Sequence, residues 1–297
     1  LFERKPPPRR LFRSSIPGGE SPGAFAMPAP LAASRTVRPT LGLIGYGAFG
    51  RLIHPLLAED FDVVVHDAVG SPALAAVRHG TLADAAGAAI VVLAVPVNAM
   101  QAVAHAIAPH LTPGALVLDV GSVKCLPARV LAETLPDHVA VVGTHPLFGP
   151  QSITRAGAAR KVVLCPVRGD RAGAVRRWLR AHGFTVVTTS PETHDRDMAL
   201  AQGMTHMVAR LVADMVAAPR MTTPSFDLLR AAADMVSGDS PAVFDAILRD
   251  NPYAPAIQAR FFGLADALRR ELAGGAGGDA IRSGPASLRG APPAPGK

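Results

Sequence analysis

Three short stretches of the 297-residue chain hold the side chains best suited to chemistry. "GTHPLFGPQ", residues 143–151, sets His145 between a Gly-Thr step and a proline, with no charged residue around it. "DVGSVK", residues 119–124, offers a hydroxyl at Ser122 and a cation at Lys124. "GYGAFG", residues 45–50, has the spacing Gly45-x-Gly47-x-x-Gly50. A neutral imidazole accepts a proton near pH 7, which is what an alcohol must give up as hydride leaves its carbon for a nicotinamide. Ser122 could orient that imidazole or the hydroxyl. Each residue also has an ordinary reading: a satisfied core histidine, a helix cap, a solvated charge. Their shared position beside a dinucleotide site favours the chemical one.

That position follows from the elements around them. "LGLIGY", "DVVVHD", "AIVVLAV", "ALVLDV" and "VAVVGT" are short β-rich runs separated by helical patterns over 48–58, 98–108 and 127–135. This alternation predicts an α/β fold with a doubly wound, Rossmann-like parallel sheet. "KVVLCPV" and "FTVVTTS" extend it, with a helix over 171–182 between them. After Pro191 the strands stop. "ETHDRDMALAQGMTHMVARLVADMV" places Met198, Ala201, Thr205, Val208 and Val212 on one face of a single long helix, and further helices are expected over 225–236, 240–249 and 254–272. The expected layout is therefore an arm over 1–40, a dinucleotide-binding domain over 41–190, a smaller all-helical substrate and dimerisation domain over 191–272, and a tail over 273–297.

Within this frame the glycines acquire roles. Gly45 permits a tight turn, Gly47 lets a pyrophosphate approach the backbone, and Gly50 lets the helix pack closely, its N–H groups facing the phosphates. Phe49 lies in the same turn. Asp67 ends the next strand, 22 residues after Gly45, where an acid accepts the hydroxyl hydrogens of an adenosine ribose and repels a 2′-phosphate. The expected cofactor is NAD, with NADP the alternative. Pro96 and Gly121 follow strand ends on the same edge and belong near the cofactor, and Ser122, Lys124 and His145 lie on that edge too.

Composition excludes other classes. The formal charge is +7, but residues 1–40 contribute +5 and residues 273–297 contribute +2, leaving a neutral body with no basic cluster for nucleic acid. Residues 85–118 carry no Asp, Glu, Lys or Arg, yet Pro96, Asn98, Gln101, His105, Pro109 and Pro113 break them into strand, helix and strand, so no membrane span is expected. Cys125 and Cys165 form no metal or disulfide pattern, which suits a reducing, cytoplasmic setting. Lys124 would lower the thiol pKa of Cys125 if it lay against it, though a small half-buried residue is the plainer reading. The Pro/Arg-rich arm and the Gly/Pro-rich tail are expected to be disordered, with an organelle-targeting peptide as the competing reading of the arm and Met27 a plausible initiator.

Taken in order and spacing, "GYGAFG", "LDVGSVK", "GTHPLFGPQS", "HDRDMALAQGMTH" and "FDLLRAAADMVSGDS" resemble the prephenate/arogenate dehydrogenases over about residues 41–260. The resemblance implies an NAD(P)-dependent oxidative decarboxylation by a homodimer. It makes His145 the group that polarises the C4 hydroxyl and Ser122 its assistant. It also makes His206 and Arg230 ligands of the substrate carboxylates, and Lys124 of "GSVK" a further substrate contact. A dianionic substrate needs such cations in a site of otherwise neutral composition. His194 reads as a brace for the helix start. Many members carry a histidine three residues before His206, where this chain has Gly203. Gln151 lacks the charge to pair with the ammonium of arogenate, which points to prephenate. The alternatives are another NAD-linked hydroxyacid dehydrogenase or reductase, although its usual helical-domain lysine is not found, and a non-catalytic NAD-binding regulator, which would need no proton acceptor.

Overall fold

The computed structural model describes residues 38–150, 152–153, 160–215 and 219–274. Seven strands form one sheet in the order β2-β1-β3-β4-β5-β6-β7. They are β1 (Thr40–Ile44), β2 (Asp62–His66), β3 (Ile90–Leu93), β4 (Leu116–Asp119), β5 (Ala140–Pro146), β6 (Lys161–Arg168) and β7 (Thr185–Thr188). The first five are mutually parallel, joined through α1 (Ala48–Asp60), α2 (Leu82–Ala86), α3 (Met100–Ile107) and α4 (Cys125–Thr134). β1 begins at Thr40, so the structured body starts inside the stretch expected to be an arm.

The Val/Ile/Leu runs of these strands serve two faces at once, as a sheet covered on both sides requires. Ile44, Val64, Leu93, Val117 and Val141 pack with Met100, Ile107, Val130 and Leu131 of α3 and α4. Their neighbours Leu43, Val65 and Val92 turn to the other face and meet Leu57 of α1. Each fully buried Leu or Ile contributes about 1.5–3 kcal/mol relative to exposure. The chain order reverses between β1 and β3, which opens a crevice at their carboxyl ends.

β6 departs from an all-parallel sheet. It runs antiparallel to β5, with His145 opposite Val163, while β7 runs parallel to β6 through the crossover α5 (Ala172–Ala181). A parallel return needs a crossover of a dozen or more residues, usually a helix, and no helix joins β5 to β6 among the described residues.

α4 is held at both ends by charge. At its carboxyl end the Arg168 guanidinium donates to the carbonyls of Ala132, Leu135, Pro136 and Val139. At its amino end the Asp195 carboxylate accepts the N–H groups of Lys124 and Cys125. Both signs match the helix dipole.

The helical part comprises α6 (Pro191–Met198), α7 (Met204–Met215), α8 (Pro224–Val236), α9 (Pro241–Asp245) and α10 (Ala254–Gly274). The single long helix expected after Pro191 is α6 and α7 joined by a π-helical segment, Ala199–Gly203, and a second such segment, Ala246–Asp250, follows α9. The expected apolar face also differs. His194, Asp195, Ala199, Gly203, His206, Met207 and Ala209 are buried, whereas Met198, Thr205, Val208 and Val212 are half-buried and Ala201 is exposed. The inward face is chosen by polar pairs and small residues, and the wider π turn shifts the register between the two helices. Among the described residues no helix is long and apolar enough to cross a membrane.

Candidate active site

The glycine turn after β1 has the shape of a phosphate cradle. Gly45 adopts φ of 99°, and a Cβ there would stand 2.4 Å from the carbonyl oxygen of Ala94. A Cβ at Gly50 would meet the carbonyl oxygen of Gly45 at 2.2 Å, so only glycine allows α1 to start so close to the strand. A Cβ at Gly47 would meet nothing within 4 Å, so this position faces the open crevice. Gly47 is also the N-cap of α1, and it supplies no side chain to the first N–H groups of that helix. Free amides at a helix start, beside an open glycine, fit a pyrophosphate. Asp67 ties the end of β2 to this turn: its Oδ2 accepts Tyr46 N–H at 2.6 Å, and its Oδ1 accepts Val69 and Gly70 N–H. Pro96 lies three residues past the end of β3 and opens a short helical turn, and Gly121 follows β4, donating its N–H to Asp119 Oδ1 at 3.0 Å. Phe49 lies 6.3 Å, ring to ring, from Phe148, which brings the glycine turn and the loop after His145 together.

His145, near the end of β5, is 3% exposed. Its Nδ1 lies 2.8 Å from Nε2 of His194, whose own Nδ1 lies 2.7 Å from Oδ1 of Asp195. Its Nε2 faces Nε2 of Gln202 at 3.4 Å. Burial, above all, pushes the His145 pKa well below the ordinary value, so the ring is neutral and able to take up a proton. His194 and Asp195, on the first turns of α6, and Gln202, in the π segment, complete a centre that sequence reading had reduced to His145 and Ser122. The signal for His194 and Asp195 was two adjacent titratable residues near a helix start. Gln202 gave none, because only the π turn aims it inward.

Lys124 requires a correction. Its ammonium is fully buried, paired with Asp119, and donates to the carbonyl of Thr144 at 2.8 Å. It is thus engaged beneath the histidine strand and is not offered to a ligand. A buried carboxylate needs a counter-charge, and Asp119 supplies the demand. Burial pushes the Asp119 carboxyl up, against the opposing pull of the Lys124 ammonium. Nor does Lys124 activate Cys125: burial and then the Asp195 charge push that thiol up to about 12.

Ser122 is half-buried in the turn between β4 and α4. His206 on α7 is buried, with Nδ1 2.9 Å from the Gln202 carbonyl and Nε2 3.2 Å from Asp239. It lines a hollow of about 420 Å³ with Arg210, Asp239 and Phe244. Arg230 lines an adjoining hollow of about 220 Å³ with Asp234, and Ser237 borders both. Gln202 joins His206 to the histidine centre, bonding one through its carbonyl and facing the other through its amide. Gln151 lies outside the described residues.

A glycine cradle at a sheet switch point, a buried neutral imidazole on the same edge and a helical part docked against it define a nucleotide-binding protein of the dehydrogenase type. The family is specific. The nucleotide-binding domain of prephenate dehydrogenase matches residues 67–187, and the dimerization domain of prephenate dehydrogenase matches residues 190–278. The chain belongs to the prephenate dehydrogenase family. It is 29% identical over 184 residues to a probable arogenate/prephenate dehydrogenase of Methanocaldococcus jannaschii, covering 58% of this chain and 41% of that protein. It is 30% identical over 235 residues to the 4-amino-4-deoxyprephenate dehydrogenase of Streptomyces pristinaespiralis, covering 72% and 78%. The chain therefore spans less than half the length of the first of these relatives. The fold superposes with a TM-score of 0.64 on prephenate dehydrogenase of Aquifex aeolicus in complex with hydroxyphenyl propionate and NAD+, at 20% identity, covering 82% of this chain and 94% of that one.

Proposed function

We propose that this protein catalyses the NAD-dependent oxidative decarboxylation of prephenate or arogenate. The observation that carries the reading is the buried, neutral His145 on the sheet edge that also holds the glycine cradle. Bound NAD would accept a hydride from C4 of the cyclohexadienol ring. His145 takes the C4 hydroxyl proton as that hydride leaves, the carbon–carboxylate bond breaks to release CO₂, and the electron pair left behind makes the ring aromatic. The N–H groups at the start of α1 would hold the pyrophosphate and Asp67 the adenosine ribose, which favours NAD over its 2′-phosphorylated form. Ser122 orients the hydroxyl, while His206 and Arg230 hold substrate carboxylates from the helical part. Neutral Gln151 disposes the site toward prephenate, since it offers arogenate's ammonium no ion pair.

The helical part also supports a homodimer. Leu211, Met215, Leu228, Phe262, Leu264, Leu268 and Leu272 expose 46–82% of their surface, and the matching family domain is described by dimerization. The two free cysteines of the nucleotide-binding part, Cys125 and Cys165, suit a reducing cytoplasm.

The test is NAD reduction by the purified chain with prephenate and with arogenate, NADP running in parallel. Turnover with at least one substrate is expected, and His145→Asn should lower kcat roughly 10²–10⁴-fold while NAD affinity holds. Absence of turnover with both, or an unimpaired His145→Asn enzyme, overturns the assignment.

A further inference from the structure

We propose that His194 and Asp195 are positioning residues for His145, forming with it a buried relay that dictates which ring nitrogen receives the substrate's proton. The inference rests on the reading of His145 as proton acceptor and adds two residues to that site.

Asp195 is fully buried, and its carboxylate holds three hydrogen-bond partners. Its Oδ1 faces His194 Nδ1 at 2.7 Å and Lys124 N–H at 2.7 Å, its Oδ2 accepts Cys125 N–H at 2.8 Å, and its backbone carbonyl accepts from Asn251 Nδ2 at 2.8 Å. Burial alone would raise this carboxyl, but the hydrogen bonds from His194 and the two amides outweigh it and hold it below its ordinary value. An ionised carboxylate only accepts, so His194 Nδ1 must donate. A histidine with its one ring hydrogen on Nδ1 presents a lone pair at Nε2. Across 2.8 Å it can bond His145 only if His145 Nδ1 carries the hydrogen. His145 Nε2 is left bare, on the side of the Gln202 amide.

Three features make this assignment rigid. His145 and His194 are 3% and 2% exposed, so water does not compete for their nitrogens. The Asp195 carboxylate cannot rotate, because both oxygens are also capping α4. The two rings meet edge to face at 69°. When Nε2 takes the hydroxyl proton, the O–H bond breaks and an N–H bond forms. The resulting positive charge is shared through Nδ1–H toward His194 and Asp195. An unsupported imidazole would instead divide its time between two tautomers, one of which cannot accept at Nε2.

The experiment compares His194→Ala, which removes the acceptor, with His194→Gln, whose amide oxygen can still accept from His145 Nδ1. Full-length variants are assayed for kcat and KM, and the His145 ring tautomer is read by ¹⁵N NMR, which needs no turnover. Nδ1–H on His145 is expected in the parent. The alanine variant should lose roughly 10²-fold in kcat with little change in KM and shift the tautomer. The glutamine variant should recover both in part. The relay is overturned if the parent shows Nε2–H on His145. It is also overturned if the alanine variant keeps kcat and tautomer, or if glutamine is no better than alanine. Should the parent turn over neither substrate, the proposed function falls by itself, and the NMR result still decides the relay.

Discussion

A histidine that must stay neutral imposes its own pH dependence. His145 is held well below the ordinary histidine value of about 6.5, so the acid limb of kcat/KM should fall below that value. Stability follows the same sign. An unfolded chain binds a proton at this ring at about pH 6.5, whereas the folded chain refuses it until much lower pH. The contribution is fully present above the unfolded pKa and is lost as pH falls toward the folded one. Urea midpoints measured downward from about pH 7.5 should therefore decline through the range near 6.5, and more weakly in His145→Asn. A decline equally steep in both proteins would show that the buried imidazole is not its source. At this scale the sequence was legible in part. His145 was recognisable because a lone histidine followed a strand end. Lys124 was expected to meet the substrate because a cation in a turn on the sheet edge looks available, and only the fold reveals that buried Asp119 claims it.

Among the elements, strand and helix order was readable because valine-rich runs and helical periods alternate with clear breaks. Two features were not. The antiparallel entry of β6 depends on how the chain returns after Pro146, which no periodicity records. The π segment costs a regular helix its hydrogen-bond register, and sequence patterns built on 3.6 residues per turn pass over it. That segment carries a prediction. Deleting Leu200, which is 47% exposed, should let α6 and α7 merge into one regular helix and turn the downstream residues by about 100° relative to His194. Gln202 and His206 then leave their partners. Helix content by circular dichroism should hold, while kcat drops by roughly 10²-fold, the scale of a small misplacement at a reacting centre. Leu200→Ala serves as the control and should stay active. A deletion variant with parental kcat would mean that the π register has no bearing on the site.

For the whole molecule, the proposed dimer would cover the exposed apolar residues of α7, α8 and α10. Sedimentation velocity should report a dimer for the parent. Leu211→Glu combined with Leu268→Glu should shift it toward monomer, because each buried carboxylate lacks a counter-charge. A parent that stays monomeric at micromolar concentrations would remove the dimer from the picture. The resemblance read from five motifs agreed with the family found by comparison: three of them begin at the ends of β1, β4 and β5, where the sheet edge gathers the site, and the other two run through α6 to α7 and through α8.

The hydrogen bonds around Asp195 also set an order in time. His145 meets His194 across 49 positions of sequence, and Cys125 meets Asp195 across 70. At about 5–20 residues per second, roughly 3–10 s of synthesis separate the histidine from its acceptor. A nascent chain can form the nucleotide cradle while its imidazole still lacks guidance. Docking of α6 therefore commissions the site: the same carboxylate that fastens the helical part to α4 sets the histidine's working nitrogen.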